Sequence, residues 1–522
     1  LNVVIGSLQI AVVYAFAKRL TSSTVFAALA ALLLIFDGFH FVEQRISTGE
    51  ITISTLILIV LYSFYRYWLA AQVRVERVIP KRFGLPFVAT LVLGLPLAAG
   101  FARLVNLAPP NHTTPIANGI WPSPPGTADA ASFGGAGYAV AFLYVMVGVY
   151  LVARLLVPKL LPAAGERVSY ADGTRVDLAQ GGKPVVAAPP GAQDAPGLKV
   201  SYGRDGTMRY ATPETSAEFA PDGTLKVDGT LASSARSAKL WLGVLAVSLG
   251  VLASSKWNGA FDFAIVFALL ALVSAQRFLR TRALYGNPYG FPLDVVVALL
   301  LFVPATIYGL TYIPTFVLGN GHNLTDLMAL QWQMYNYHSH VSGTHPYMSV
   351  AWQWPIMQIP ISYYYHDFRL GAAVNDANAC CVAEILALPN PLVFLLGLAS
   401  VPFVGWLAWR ERNRGYALIV LAYFVQWLPW FHSPRMLFEY HFFPNLALIV
   451  LCDVILIQHV LRRFEARRAN WYLGAYAAAV VLMFAYFYPV LAGTQMSYAS
   501  WHTRMWPDVL GIPNTSWIIP HR

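Results

Sequence analysis

The sequence predicts an all-α polytopic membrane protein, and two observations carry this prediction. Hydrophobic residues make up 57% of the 522 residues and charged residues only 11%, whereas a soluble domain carries roughly 25% charged residues. The apolar residues also fall into separate blocks, each close to the roughly 20 residues that a helix needs to cross a bilayer. A soluble globular enzyme is therefore excluded.

About 12 transmembrane helices are predicted from these blocks. Charged segments or segments rich in Pro and Gly separate one block from the next. The blocks cover residues 2–17, 24–42, 51–71, 85–107, 137–161, 239–255, 259–276, 292–318, 391–409, 416–431, 438–459 and 473–493.

The blocks and the segments between them divide the chain into six regions. In the insert at 163–237, three Asp-Gly pairs lie between short alternating runs, which is typical of β-hairpins. We expect a small β-hairpin-rich insert there, and a flexible linker is the alternative. The regions are N-terminal transmembrane helices at 1–162, the insert at 163–237, central helices at 238–318, a loop rich in aromatic residues and His at 319–390, C-terminal helices at 391–493 and a tail at 494–522.

Basic residues predict how these helices are oriented. Lys and Arg near the ends of spans stay on the cytoplasmic side, and placing every second connection in the cytoplasm puts 28 of the 35 Lys and Arg residues there. The insert is then cytoplasmic, and the loop at 319–390 and the tail lie outside. The net charge of +10 thus indicates a basic face toward anionic membrane lipids. Nucleic-acid binding is disfavoured, because no basic stripe with interleaved aromatics occurs elsewhere.

Three of the remaining cations fall in short outer connections. Arg45 lies in FDGFHFVEQRISTGEI, Lys256 in SSKWNGAFD and Arg435 in WLPWFHSPRMLFEYHFFP. Cations that converge at headgroup depth suit a phosphate or pyrophosphate, which Arg can bind through two hydrogen bonds. A lipid-linked phosphate is the expected ligand. The alternative is that each cation pairs with a local carboxylate, such as Arg45 with Glu43 and Arg435 with Glu439.

The loop at 319–390 contains YNYHSHVSGTHPYMSVAWQWPIMQIPISYYYHDF. Its Trp and Tyr side chains suit the membrane–water interface. The spacing of His338 and His340 suits an extended strand or turn rather than a helical zinc motif. We therefore expect the histidines here, with His345 and His366, to hydrogen-bond substrate or backbone, and we predict no metal site.

The order of these motifs resembles that of the protein O-mannosyltransferases, membrane glycosyltransferases of the C-type fold that use a polyprenyl-phosphate-linked mannose. Four stretches carry the resemblance, across about residues 1–60 and 237–460. A large repeat domain in the outer loop is absent, which favours a bacterial member. The stretches are LLLIFDGFHFVEQRISTGEI, SSKWNGAF, YNYHSHVSGTHPYMSVAWQWPIMQIPISYYY and YFVQWLPWFHSPRMLFEYHFFP.

The resemblance implies transfer of mannose, or a similar hexose, from the lipid carrier to Ser or Thr of exported proteins. It implies inversion at the anomeric carbon, a site on the outer face of the plasma membrane, and no cofactor besides the lipid-phosphate sugar. Arg45, Lys256 and Arg435 are expected to hold the donor phosphate. The expected substrate contacts are Glu50, Trp257, His338, His345, Tyr347, Trp354 and Tyr440.

The resemblance also implies a carboxylate general base in the first outer loop, after the first span. The first apolar block here resembles the second span of the family, and the chain begins with Leu1 inside that block. We therefore expect an N-terminally truncated chain whose catalytic Asp or Glu precedes Leu1. Glu50 stands where the family more often has Asp.

Two other functions are compatible with the sequence. The same fold can transfer a lipid-linked sugar to a lipid or a cell-envelope glycan. A polytopic transporter or flippase is a candidate of another class, although its charges would lie nearer the midplane in interrupted spans.

Overall fold

The structure is a computed structural model, and it describes most of the chain. The described residues are 1–46, 48–71, 73–78, 84–106, 134–160, 165–170, 175–179, 185–187, 199–202, 208–211, 216–219, 225–226, 229–281, 293–318, 323–341, 343–368, 380–433, 435–512 and 517–518.

Helices form most of the described chain. They are α1 (Asn2–Thr21), α2 (Thr24–Ile35), α3 (Gly38–Glu43), α4 (Glu50–Ala70), α5 (Leu85–Ala89), α6 (Leu95–Val105), α7 (Gly134–Leu160), α8 (Gly229–Ser255), α9 (Ala260–Thr281), α10 (Leu293–Thr311), α11 (Ile313–Val317), α12 (Leu324–His340), α13 (Pro391–Arg410), α14 (Arg414–Trp427), α15 (Phe443–Leu461), α16 (Ala466–Ala492), α17 (Tyr498–His502) and α18 (Trp506–Val509). A π-helical turn joins α5 to α6, and 3₁₀ turns lie at Trp257–Gly259, Ala351–Ile356, Leu428–His432 and Glu439–Phe442.

Within the described residues, ten helical segments are long and apolar enough to cross a membrane, so the protein is a multi-pass membrane protein. Each of the twelve predicted blocks contains helix, but α2 has 12 residues and α14 has 14, fewer than a span needs. The helix α2 stops because Asp37 has extended backbone and caps α3 instead. The helix α14 gives way to the 3₁₀ turn that contains Pro429.

Strands occur in three antiparallel sheets. In the insert, β2 pairs with β3, β5 with β6, and β7 with β8; these pairs flank the three Asp-Gly pairs, so the predicted hairpins are confirmed. The Asp-Gly turns themselves lie outside the described residues. The strands are β1 (Val73–Val78), β2 (Gly165–Tyr170), β3 (Arg175–Ala179), β4 (Val185–Ala187), β5 (Lys199–Tyr202), β6 (Met208–Ala211), β7 (Ser216–Phe219), β8 (Leu225–Lys226), β9 (Ile361–Asp367), β10 (Cys380–Ala387) and β11 (Met496–Ser497).

The loop at 319–390 is more ordered than the sequence predicts. It contains the helix α12, which begins where the Asn323 side chain accepts a hydrogen bond from the Asp326 N–H at 3.0 Å. His338 and His340 therefore occupy the last turn of a helix, and their predicted extended conformation is wrong. Further along, β9 pairs with β10, and β10 pairs with β11 from the C-terminal region.

The chain forms two compact units. The first comprises residues 1–62, 255–265 and 338–522, and the second comprises residues 63–254 and 266–337. Every candidate site residue predicted from the sequence belongs to the first unit.

In the first unit, α15 is the central helix and is buried along most of its length. It packs against α1, α2, α13 and α14. A Cβ on Gly397 of α13 would come within 2.7 Å of Ile449 Cγ2 on α15. Close approach at a small residue is typical of packed transmembrane helices, so Gly397 permits the α13–α15 contact.

Asp37 organises the turn between α2 and α3. Its Oδ1 accepts hydrogen bonds from the N–H groups of Phe39 and His40 at 2.9 and 3.1 Å, and its Oδ2 accepts one from the Asn390 N–H at 2.8 Å. Asp37 is fully buried. One carboxylate thus satisfies three backbone donors that burial would otherwise leave without partners.

Asn390 extends this arrangement to two more elements. Its Nδ2 donates to the carbonyl oxygens of Phe36 and Val480 at 2.9 and 3.0 Å, so it ties the end of α2 to α16. Its own position is directly before α13. Asp37 and Asn390 together set the position of α3, which carries Glu43.

The second unit contains a charged pair inside its helices. Arg154 of α7 pairs with Asp294 of α10, with 2.7 Å between Nε and Oδ2, and Tyr150 also donates to this carboxylate. Charges within spans are costly unless paired. This pair therefore links α7 and α10 at a low electrostatic cost.

Candidate active site

Lys256 and Glu50 form the centre of the candidate site. Lys256 Nζ lies 2.5 Å from Glu50 Oε1, and the two side chains are 30% and 5% exposed. Glu50 is the first residue of α4, where a negative charge interacts favourably with the helix dipole. Lys256 has extended backbone between α8 and the following 3₁₀ turn. It therefore lies outside both helical segments, and its side chain extends to Glu50.

Arg435 lies in the segment before α15 and contributes a second positive charge near this carboxylate. Its charge acts on Glu50 together with that of Lys256, and its Nη2 lies 3.3 Å from His441 Nε2. The alternative pair with Glu439 does not form, because both carboxylate oxygens of Glu439 are buried without a hydrogen-bond partner in the described structure. Lys256 thus pairs directly with Glu50, and the charge of Arg435 acts on the same carboxylate.

Arg45 has a different environment. Its side chain is exposed, and its guanidinium lies over the Phe41 ring at 4.7 Å from the centroid. Among the described residues it forms no ion pair with Glu43. The described contacts therefore connect Arg45 to an aromatic ring of α3 and not to Glu50, and its predicted role at the donor phosphate stays a prediction.

An aromatic wall borders the Lys256 side chain. Lys256 Nζ lies 5.8 Å from the centroid of Tyr440, and Tyr440 stacks on His441 at 4.4 Å. His441 in turn is nearly parallel to Trp354 at 6.2 Å. Trp354 is buried, and its Nε1 donates to Ser349 Oγ at 3.0 Å. Stacking thus holds Trp354 and Tyr440 in place.

The other predicted residues of the loop lie close to this wall. The His345 ring lies 5.3 Å from that of Tyr347 and 5.4 Å from that of Phe438. His345 Nδ1 also accepts from the Tyr347 N–H at 3.3 Å, so its visible partners are aromatic rings and backbone. Trp257 begins the 3₁₀ turn after Lys256 and is 37% exposed.

His338, in the last turn of α12, is affected by the charges of both cations. Burial lowers the pKa of His338, and the positive charges of Arg435 and Lys256 lower it further. A neutral imidazole can both donate and accept a hydrogen bond. Among the described residues, no three ligand-type side chains come together to hold a metal ion.

Glu43 is a site neighbour that sequence reasoning missed. Its Oε1 accepts from Tyr363 Oη and its Oε2 from Thr48 Oγ1, both at 2.6 Å. Burial raises the pKa of Glu43 to about 7, and the charge of Glu50 acts in the same direction. The sequence places Glu43 beside Arg45, but Tyr363 lies 320 residues away and suggested only an interfacial aromatic. Through this carboxylate, β9 holds the connection between α3 and α4.

The titration of Glu43 predicts a pH dependence of stability. Its pKa is about 7 in the folded protein against an ordinary value of 4.5, so between these values the folded state binds more protons than the unfolded state. The free energy of unfolding therefore falls as the pH rises through this window. Glu43→Gln lacks this contribution, so we expect its unfolding temperature in detergent to fall less between pH 4.5 and 7 than that of the wild type.

Glu465 is an exposed carboxylate, and Glu465→Gln serves as the control for this measurement. Its curve should run parallel to that of the wild type. Equal slopes for Glu43→Gln and the wild type would contradict the assignment.

Ten apolar helical segments and a pair of cations around a buried carboxylate define a multi-pass membrane protein with a candidate anion site. The chain belongs to the protein O-mannosyltransferase family. Residues 1–84 match the family described as dolichyl-phosphate-mannose-protein mannosyltransferase, and residues 323–509 match the C-terminal four TMM region of protein-O-mannosyltransferase. Together these matches cover just over half of the chain. Lys256 and Trp257 lie between them.

Curated relatives are similar over part of the chain. A polyprenol-phosphate-mannose–protein mannosyltransferase from Mycolicibacterium smegmatis is 24% identical over 324 residues, which cover 54% of this chain and 60% of the relative. The Mycobacterium tuberculosis protein of the same description is 25% identical, and the match covers 50% of this chain and 55% of that protein. The matched regions thus span less than two thirds of these relatives.

One solved structure is similar to this chain at a low level. It is the Saccharomyces cerevisiae protein O-mannosyltransferase Pmt1-Pmt2 complex bound to the sugar donor. The sequence identity is 10%, the TM-score is 0.38, and the match covers 94% of this chain and 77% of the other chain.

Proposed function

We propose that this protein transfers mannose from a polyprenyl-phosphate carrier to Ser or Thr hydroxyls of exported proteins. The single observation that carries the proposal is the convergence of Lys256 and Arg435 on Glu50 in a chain of this family. Mycobacterial relatives described as polyprenol-phosphate-mannose–protein mannosyltransferases support the donor and the acceptor. The lipid-phosphate sugar is the donor, and no further cofactor takes part.

In the proposed reaction the acceptor oxygen attacks the anomeric carbon as the bond from that carbon to the phosphate oxygen breaks. The electron pair of the broken bond leaves with the phosphate, and the configuration of the anomeric carbon inverts because the acceptor attacks the face opposite the phosphate. The developing charge on the leaving oxygen needs electrostatic stabilisation, which two pre-positioned cations supply. Lys256 and Arg435 have this role. Tyr440 and Trp354 belong to the aromatic wall that borders Lys256.

The proton of the acceptor hydroxyl must go to a base within about 3 Å in the productive complex. The family resemblance assigns this role to a carboxylate of the first outer loop of the family. The residues of this chain thus account for the leaving-group side of the reaction.

The proposed site faces the outside of the plasma membrane. Support comes from the distribution of Lys and Arg, which leaves the connections at Arg45, Lys256 and Arg435 on the less basic side. Exported proteins and the outer-leaflet carrier meet on that side. The acceptor hydroxyl and the donor phosphate are then available to one site.

Reconstitution of the full-length protein tests this function. Proteoliposomes receive polyprenyl-phosphate mannose with a labelled sugar and a Ser/Thr-rich peptide, and mass spectrometry locates the hexose. We expect hexose on a Ser or Thr hydroxyl of the peptide. Label in a lipid or glycan alone, or uptake of a solute without transfer, would contradict the proposal.

A further inference from the structure

An anion already occupies the centre of the proposed phosphate site. Lys256 Nζ lies 2.5 Å from Glu50 Oε1, and Arg435 also attracts this carboxylate. Glu50 neutralises Lys256 in an ion pair this close. A phosphate therefore cannot interact with the full positive charge of Lys256 while this ion pair is intact. The two cations and Glu50 together carry one net positive charge.

The arrangement around this carboxylate is incomplete. Glu50 Oε2 and Arg435 Nε are both buried, and neither has a hydrogen-bond partner in the described structure. A buried donor and a buried acceptor without partners are costly. A bound oxygen anion can accept from Arg435 Nε, so the structure presents an unused donor where the phosphate is proposed to bind.

The charge of the lipid phosphate changes during the proposed reaction. The donor is a phosphodiester with one negative charge, whereas the product is a phosphomonoester with about −1.5 to −2 at pH 7. Two cations without a counter-ion would bind the product more tightly than the donor. A site with one net positive charge matches the donor.

We propose that Glu50 is a specificity-determining residue, which lowers the charge of the site so that it accepts the lipid phosphodiester and releases the lipid phosphomonoester. This inference rests on the proposed function. The carboxylate yields part of its contact with Lys256 when the diester binds, and it repels the second negative charge that appears on the leaving phosphate.

The test compares product and donor binding in Glu50→Gln. Direct binding of polyprenyl phosphate is measured with the protein in nanodiscs. In the transfer assay, the preference for product over donor is the KM for polyprenyl-phosphate mannose divided by the inhibition constant of polyprenyl phosphate. We expect Glu50→Gln to raise the preference for the product over the donor by about tenfold, with kcat limited by slower product release. An unchanged preference, or an equal loss of both affinities, would overturn the inference, since Glu50 would then only position Lys256.

Two further variants control for the fold and for the loss of a buried carboxyl group. Glu50→Asp retains the charge and should retain the wild-type preference. Asp262 is a second buried carboxylate of the same unit, held by Gln426 Nε2 at 2.8 Å, and Asp262→Asn should leave the preference unchanged. The same tenfold increase in Asp262→Asn would overturn the inference.

The binding arm separates this inference from the proposed function. If no variant transfers mannose but Glu50→Gln binds polyprenyl phosphate about tenfold tighter, the proposed function fails and the charge assignment stands. If transfer occurs and the product preference is unchanged, only the role of Glu50 fails.

Discussion

Lys256→Met is expected to lower the rate of mannosyl transfer by a factor of about 100 to 1,000, the range found when one pre-positioned donor to a developing oxyanion is removed. Lys256 is the cation with the closest described ion pair at the site, and the Tyr440 ring lies beside it. The loss should fall mainly on kcat, because the charge on the leaving phosphate oxygen grows as its bond to the sugar breaks. Steady-state transfer to a peptide by the reconstituted full-length protein gives kcat and KM.

Loss of Lys256 also leaves the buried Glu50 carboxylate without its ion pair. For a fully buried pair the loss of one partner costs about 3 to 5 kcal/mol, and the cost here should be smaller, because the Lys256 side chain is 30% exposed and Arg435 still acts on Glu50. The double variant Lys256→Met with Glu50→Gln removes both charges and should restore stability without restoring transfer. Lys239→Met changes an exposed lysine of α8 and is the matched control. Near-normal transfer by Lys256→Met, or a rate restored in the double variant, would contradict the role of Lys256.

Asp37→Ala is expected to destabilise the protein by about 3 to 9 kcal/mol, because three buried backbone N–H groups lose their acceptor and each such loss costs about 1–3 kcal/mol. These groups belong to Phe39, His40 and Asn390. The loss of the cap of α3 should also loosen the connection that carries Glu43. Thermal unfolding of the purified protein in detergent measures the effect.

Asp37→Asn separates the cap from the link to Asn390. Its amide oxygen can still accept from the N–H groups of Phe39 and His40, but its NH₂ would face the Asn390 N–H as a second donor. We expect an unfolding temperature between those of the wild type and Asp37→Ala. Wild-type stability in Asp37→Ala would show that water or another group replaces the carboxylate.

Local patterns predict much of this fold. The apolar blocks correspond to helices because a segment in lipid must satisfy its backbone hydrogen bonds internally. The hairpins of the insert follow from the Asp-Gly pairs, because these two residues suit the positive φ angles of a tight hairpin turn. The ends of α2 and α14 were not predicted. The helix α2 ends before Asp37, which caps α3, and α14 ends before the 3₁₀ turn that contains Pro429, although both helices lie in apolar runs that continue further.

The candidate site is predictable only in part. Charges in the short connections between spans identified Lys256, Arg435 and Glu50 as candidates, because ionisable groups beside spans are costly and therefore informative. Their pairing did not follow, since Glu50 lies 206 residues from Lys256. The alternative local pairs, Arg45 with Glu43 and Arg435 with Glu439, do not form among the described residues. Glu43 accepts hydrogen bonds from Thr48 and Tyr363 instead, and neither carboxylate oxygen of Glu439 has a hydrogen-bond partner there.

The sequence by itself determined that this protein is a multi-pass helical membrane protein, which short segments bear the few charges outside the basic face, and which family motifs accompany them. These features depend on composition and on neighbours within a turn or two of helix. Only the tertiary structure decided that Lys256 pairs with Glu50, that the charge of Arg435 acts on the same carboxylate and that Tyr363 donates to Glu43. Electrostatic attraction and hydrogen bonding act over a few ångströms in space, and the folded chain alone decides which residues come that close.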